Sequence, residues 1–170
     1  SFRSLVAPEA ALRFAGYAAW RGTIRQNELP VAVWGALLDA YPRIGNCLYF
    51  IHCEAPRQHC VLYDLGDGLL NWLIYENRPS PVSEAGRTTS APSKEDVTRL
   101  QQQARRHWGE ALGAVIEATA DPFWTDIYDI QQPLESLCAE NVVLLGDSAH
   151  PITPHSAKGS NLALHDAFVL

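Results

Sequence analysis

Gly146-Asp147 and Gly159-Ser160-Asn161 are the residues whose types and spacing most invite chemistry. The apolar run Val142 to Leu145 leads into the Gly-Asp pair and predicts a buried strand that Gly146 and Asp147 stop. A loop containing Pro151 and Pro154 follows. Leu162 to Leu170 then has the composition of a buried helix, with Ser160 or Asn161 near its N-terminus. A carboxylate just past a strand end can accept hydrogen bonds from ligand hydroxyls. A helix start made of small residues favours an electron-rich ligand group. Together they suit a ligand in which a polyhydroxy chain carries an electron-rich ring. The alternative is a plain strand-turn-helix capped by Asp147, but such a cap requires neither Pro154 nor Asn161.

The rest of the chain must position these residues. Its 170 residues are 47% apolar, enough for a substantial core. A net charge of −6 without a Lys/Arg run argues against nucleic acid or an anionic membrane as the main partner, which leaves a small ligand. No apolar run approaches the roughly 18 residues of a spanning helix, and no signal segment opens the chain. A soluble, cytoplasmic protein is the expectation. Cys47, Cys53, Cys60 and Cys138 have neither C-x-x-C nor zinc-like spacing, so they read as reduced core residues and no metal site is expected. Met is absent even at position 1, and Leu170 closes without a stop signal, so the chain reads as a fragment.

In order, Phe14 to Ile24 reads as a strand with Gly16, Ala18, Trp20 and Gly22 on one face and Tyr17, Ala19, Arg21 and Thr23 on the other. Arg21 is expected in a surface or interface salt bridge more than against a ligand. Val31 to Tyr41 suits a short amphipathic helix. Cys47–Cys53, His59–Leu65 and Leu69–Glu76 predict an antiparallel meander, with Gly66-Asp67-Gly68 as a hairpin turn and the first strand central, because both its faces are largely apolar. Helices on one side leave the other side to roof a pocket. On that argument His52, Asn71, Tyr49, Tyr63 and Tyr75 draw notice, each also readable as a hydrogen-bonded core or edge residue. Asn71 stands out, since an amide between Leu70 and Trp72 must find partners. Asn77 to Pro92 is a Pro-rich loop. Ser93-Lys94-Glu95-Asp96 opens a helical pair interrupted at Gly109 and Gly113, and Phe123 to Gln132 returns as a strand.

Residue by residue, Gly146, Asp147, Ala149, His150, Pro154, Gly159, Asn161, Asp166 and Ala167 match the Gly-Asp motif G-D-x-A-H-x-x-x-P-x-x-x-x-G-x-N-x-x-x-x-D-A, so the stretch resembles FAD-dependent aromatic hydroxylases, the class A flavoprotein monooxygenases. Ala157-Lys158 stand where many members have Gly-Gln, which implies a stiffer loop or a different charge against the flavin. Trp20-Arg21-Gly22 resembles that family's first substrate-domain strand. The run from Leu69 to Ala167, with Leu70-Asn71-Trp72 and Tyr75, looks like its dihydroxypyridine monooxygenase branch. Ser1 to Val6 resembles the tail of a further motif whose Asp-Gly is missing, and no G-x-G-x-x-G loop occurs in the chain.

The resemblance implies an α+β chain: an antiparallel substrate-domain sheet with packed helices over residues 14–135, and pieces of an α/β, Rossmann-like FAD-binding domain at 1–13 and 136–170. It implies FAD as cofactor, NAD(P)H as electron donor, dioxygen and a small aromatic or N-heteroaromatic substrate hydroxylated through a flavin hydroperoxide, and a possible homodimer. Gly146, Asp147, Pro154, Gly159, Ser160 and Asn161 would hold the cofactor, while Asn71, His52, Tyr49 and His155 would face the substrate. No Ser-His-Asp set, metal cluster or carboxylate pair is required, and no catalytic residue is assigned. Two alternatives stay open. One is a flavin epoxidase or quinone-pathway hydroxylase using the same motif, and the other is a truncated module that binds a ligand or partner without chemistry.

Overall fold

The computed structural model describes residues 2–170. Eight strands and four α-helices follow in the order α1 (Arg3–Val6), β1 (Leu12–Arg25), α2 (Val31–Ala40), β2 (Tyr49–Cys53), β3 (Gln58–Asp64), β4 (Leu69–Asn77), β5 (Thr89–Ser90), α3 (Lys94–Ala118), β6 (Phe123–Ile130), β7 (Cys138–Ala139), β8 (Val142–Val143) and α4 (Gly159–Val169). The fold is α+β, with a six-stranded sheet ordered β2-β3-β4-β1-β6-β5 and a two-stranded β7-β8 ribbon. Two compact units result, one of Gly16–Asp126 and one of the residues up to Ala15 with Ile127–Leu170; the division falls within β1 and β6.

In the Gly16–Asp126 unit, one sheet face carries Trp20, Leu62, Leu70, Trp72 and Ile74, which cluster with Leu37 of α2 and Leu112, Val115 and Ile116 of α3. Trp20 and Trp124 pack with ring centroids 3.9 Å apart. The Trp72 indole donates to Thr119 Oγ1 at 2.9 Å, so its one polar atom is satisfied inside the core. Gly22 makes room for that indole, because a Cβ there would stand 2.5 Å from it. Full burial of each such side chain contributes about 1.5–3 kcal/mol.

The meander forms as the apolar alternation predicts, but β2 is the edge strand rather than the central one. Its outer face explains the difference: Phe50 is 56% exposed, so the apolar residues there were not evidence of burial on both sides. The expected four-residue buried strand at Val142–Leu145 is a correction too. Only Val142 and Val143 pair, with Ala139 and Cys138, and Leu144 alone of the four is fully buried. Likewise α4 forms, yet Leu164 and Phe168 are 71% and 90% exposed, so it is not a buried helix in this chain.

Helix α3 is a folded-back pair. Ser93 Oγ caps it by accepting from Asp96 N at 3.1 Å. Gly109 takes φ 76°, a conformation only glycine adopts cheaply, and breaks the rod. The Gln101 amide then reaches Glu117 O at 3.1 Å, although sixteen residues of straight helix would span about 24 Å. Gly113 is no second interruption. It sits within the helix where a Cβ would come 2.5 Å from Arg105 Cα, so its missing side chain lets the two arms touch. Arg105 closes the hairpin through Glu117, at 2.8 Å, and Glu110.

The long loop after β4 is pinned by a residue that no motif flags. Asp126, 2% exposed, accepts from Val82 N at 2.8 Å and Ser83 N at 2.7 Å. A buried carboxylate is sustained here by two backbone donors.

Candidate functional site

Gly146–Ser148 forms a 3₁₀ turn directly after the β7-β8 ribbon. Gly146 has φ 51°, and a Cβ on it would lie 2.8 Å from the Cβ of Ala163 in α4, so both conformation and contact demand glycine. Its N–H donates to Asp166 Oδ2 at 2.8 Å, and the other oxygen of Asp166 lies 3.5 Å from His150 Nε2. Motif positions Gly146, His150 and Asp166 therefore hold one another. Arg3 completes the clamp by donating to the carbonyls of Asp147, at 2.5 Å, and Ser148, at 2.8 Å. That tie could not be read from a lone Arg near the start of a sequence.

The clamp leaves the functional end of the turn open. Asp147 is exposed, and no group among the described residues donates to its carboxylate. Gly159 opens α4 beside it, where a Cβ would stand 3.4 Å from Asp147 Oδ1. Gly159, Ser160 and Asn161 form the first turn of this eleven-residue helix, and no side chain caps their N–H groups. Pro154 and His155 lie on a second 3₁₀ turn just before, Pro154 half-buried and His155 largely solvent-facing, with partial desolvation lowering the imidazole pKa from its usual value. Ala157 follows with φ 51°, left-handed backbone that glycine would adopt more cheaply.

In the other unit, the sheet face opposite the helices carries Tyr17, Ala19, Arg21 and Thr23 of β1, Asn71, Leu73 and Tyr75 of β4, and His59, Val61 and Tyr63 of β3, with His52 at the edge. His52, His59 and Tyr75 lie across three adjacent strands, with ring centroids 6.1 and 4.6 Å apart. Asn71 is 8% exposed and its Nδ2 has no hydrogen-bond partner, nor does the buried Nε of Arg21. No carboxylate among the described residues pairs with Arg21, against the salt bridge expected of it. Burial pushes the Tyr75 hydroxyl pKa up, and the nearby Arg21 charge partly opposes the shift. Tyr49 lies on the other face, against the helices, where its hydroxyl accepts from Arg43 N at 2.9 Å and its ring meets Tyr41 edge-on. The structure thus places Asn71 and His52 on one face and Tyr49 on the opposite one. A cavity of about 440 Å³ bounded by Arg25, Asn27, Trp34 and Asp67 includes none of the predicted residues.

A family model described as "FAD binding domain" matches residues 71–170, more than half of the chain. The chain belongs to the FAD-binding domain family. Among curated relatives, 2-heptyl-3-hydroxy-4(1H)-quinolone synthase of Pseudomonas aeruginosa is 30% identical over 178 residues, covering all of this chain and 39% of the relative. Salicylate hydroxylase of Pseudomonas putida is 35% identical over 169 residues, covering 93% of this chain and 36% of the relative. The chain thus spans under two-fifths of the length of these relatives. Among solved structures, 2,6-dihydroxypyridine-3-hydroxylase from Arthrobacter nicotinovorans superimposes with a TM-score of 0.73 at 19% identity, over 98% of this chain and 44% of that one, which establishes the shared fold.

FAD fits the groups that the Gly-Asp turn leaves open. An unpartnered carboxylate can take ribityl hydroxyls, and an uncapped helix start can take the electron-rich edge of the ring. The missing side chain of Gly159 keeps the space beside Asp147 Oδ1 clear. No helix among the described residues is long and apolar enough to cross a membrane.

Proposed function

We propose that this chain supplies the substrate-binding sheet and the Gly-Asp part of the flavin site in an FAD-dependent monooxygenase that hydroxylates a small aromatic or N-heteroaromatic ring. The open Asp147 carboxylate beside the uncapped start of α4 carries the reading. Bound FAD supplies the redox chemistry, drawing electrons from NAD(P)H and activating dioxygen. The chain's own residues bind and orient. Asp147 would accept hydrogen bonds from the cofactor's hydroxyls, and Gly159, Ser160 and Asn161 would present N–H groups to it. Gly146 and Pro154 shape the turn around it, and His155 borders the substrate. Residues 14–135 form the substrate-binding domain, with Asn71 and His52 on its open face and Tyr49 supporting that sheet from behind. Residues 1–13 and 136–170 belong to the flavin domain. The four cysteines, all free thiols, suit a reducing cytoplasm.

The test is FAD affinity in the full-length protein. Asp147→Ala should weaken binding by about 1.5–3 kcal/mol, the value of a charge-assisted hydrogen bond. His150→Gln should weaken it much less, since His150 faces Asp166. The isolated 170-residue chain should bind FAD weakly, because it has no Gly-rich diphosphate loop. Unchanged affinity in folded Asp147→Ala would leave that residue as a structural turn and remove the support for the flavin site.

A further inference from the structure

Two nitrogen donors stand buried and unpartnered on the open face of the sheet, the Asn71 amide Nδ2 and the Arg21 guanidinium Nε. Asn71 pairs with Thr23 and Arg21 with Leu73, so the two donors come from adjacent strands, one register step apart on the same face. At that diagonal spacing, about 7–8 Å between backbone positions, long side chains converge. Tyr63 is the other cross-strand neighbour of Asn71. The surroundings are apolar and aromatic: Ala19, Val61 and Leu73 are buried around them, and Tyr17 and Tyr75 meet edge-on at 5.9 Å.

An amide N–H held in such surroundings without an acceptor destabilises the fold, and the unpartnered Nε–H of half-buried Arg21 adds to that cost. Native interiors leave few such groups, and those that remain call for a reason. Both groups here lack the same thing, an acceptor oxygen. None of the described residues provides an acceptor to either donor.

We infer that Asn71 and Arg21 together form the donor pair that receives an acceptor oxygen of the substrate ring, a carbonyl, phenolate or carboxylate. This rests on the proposed hydroxylase reading and adds the residues that recognise that oxygen. The aromatic and aliphatic residues around the pair contact the ring, and the two donors fix which edge of it points inward. A ring lacking the oxygen leaves both donors buried and unpaired, so the site rejects it far more strongly than it distinguishes ring sizes.

The experiment is calorimetric titration of the FAD-loaded full-length protein with two matched pairs, 4-quinolone against quinoline and benzoate against toluene. In the wild type, 4-quinolone should bind at least tenfold more tightly than quinoline, or benzoate than toluene. Asn71→Leu and Arg21→Gln should each bring the preference close to one, mainly by weakening the oxygenated member. Asn71→Leu should also raise the melting temperature of the free protein, which shows that it folds. Thr23→Ala, on the same strand, should leave the preference unchanged. A wild-type preference near one in both pairs, no binding of any of the four, or an Asn71→Leu variant that retains the preference would each overturn the inference. None of these results depends on turnover. Loss of FAD binding or of ligand-stimulated NAD(P)H oxidation would count against the hydroxylase reading, whereas intact turnover without oxygen selectivity would count against the donor pair alone.

Discussion

At the scale of single residues, the side chains proposed for ligand contact are recognisable by what they lack. Asn71 and Asp147 differ in burial but share an unfilled hydrogen-bonding capacity. Replacing Asn71 with leucine should stabilise the unliganded protein by about 1–3 kcal/mol, the cost of an unsatisfied buried group, and urea unfolding would measure it. A destabilised Asn71→Leu variant would mean that the amide is held by the fold after all. Cys60 is the opposite kind of residue. It is fully buried, and desolvation pushes its thiol pKa up to about 12. In a thiol-reagent titration the exposed Cys138 should react first and Cys60 only on unfolding.

At the scale of elements, the loops are held by specific partners. Asp126 fixes the loop after β4 through two backbone amides. Asp126→Ala should therefore open residues 78–92 to limited proteolysis while the sheet stays intact, an outcome readable from cleavage sites by mass spectrometry. Ala157 lies in left-handed backbone, with φ 51°. Ala157→Gly should relieve a strain of about 1 kcal/mol, partly offset by the greater freedom of the unfolded chain. Thermal unfolding should show a small gain or no loss. Gly113→Ala should do the reverse, because its methyl group would meet Arg105 Cα in the other arm of α3.

For the whole molecule, acid is an informative variable. Hydrogen bonding and charge from Arg13 hold the Asp129 carboxyl below its usual value, and the Ser93 hydroxyl with Arg99 does the same for Asp96. Folded-state values below unfolded ones mean that their stabilisation is present above the unfolded pKa of about 3.9 and is lost as pH falls through the folded values. The stability difference between wild type and Asp129→Asn should thus be present at pH 6 and vanish well below pH 3. Added salt should shrink it, because the pair is exposed. A difference that persists at low pH would assign the effect of Asp129 to something other than its charge.

The Gly-Asp motif, the meander, the capped helix at Ser93 and the family were all legible in the residues, because local hydrophobic period, glycine chemistry and cap residues act over a few positions. Strand order was not, since β2 carries apolar residues on an open face and periodicity cannot distinguish an edge strand from a central one. Spacing marked Gly109 as the break in a helical pair, and it is one, but it could not reveal that Gly113 stays helical and lets the two arms touch, since that depends on the neighbour it meets. Tyr49 and Asn71 were both read from the sequence as facing the substrate. The register places the first on the helix-packed face with its hydroxyl satisfied and the second on the open face with a donor to spare. The sequence by itself determined which groups could accept or donate. Only the tertiary structure decided which of them remained without a partner, because satisfaction of a polar group depends on contacts between residues far apart in the chain.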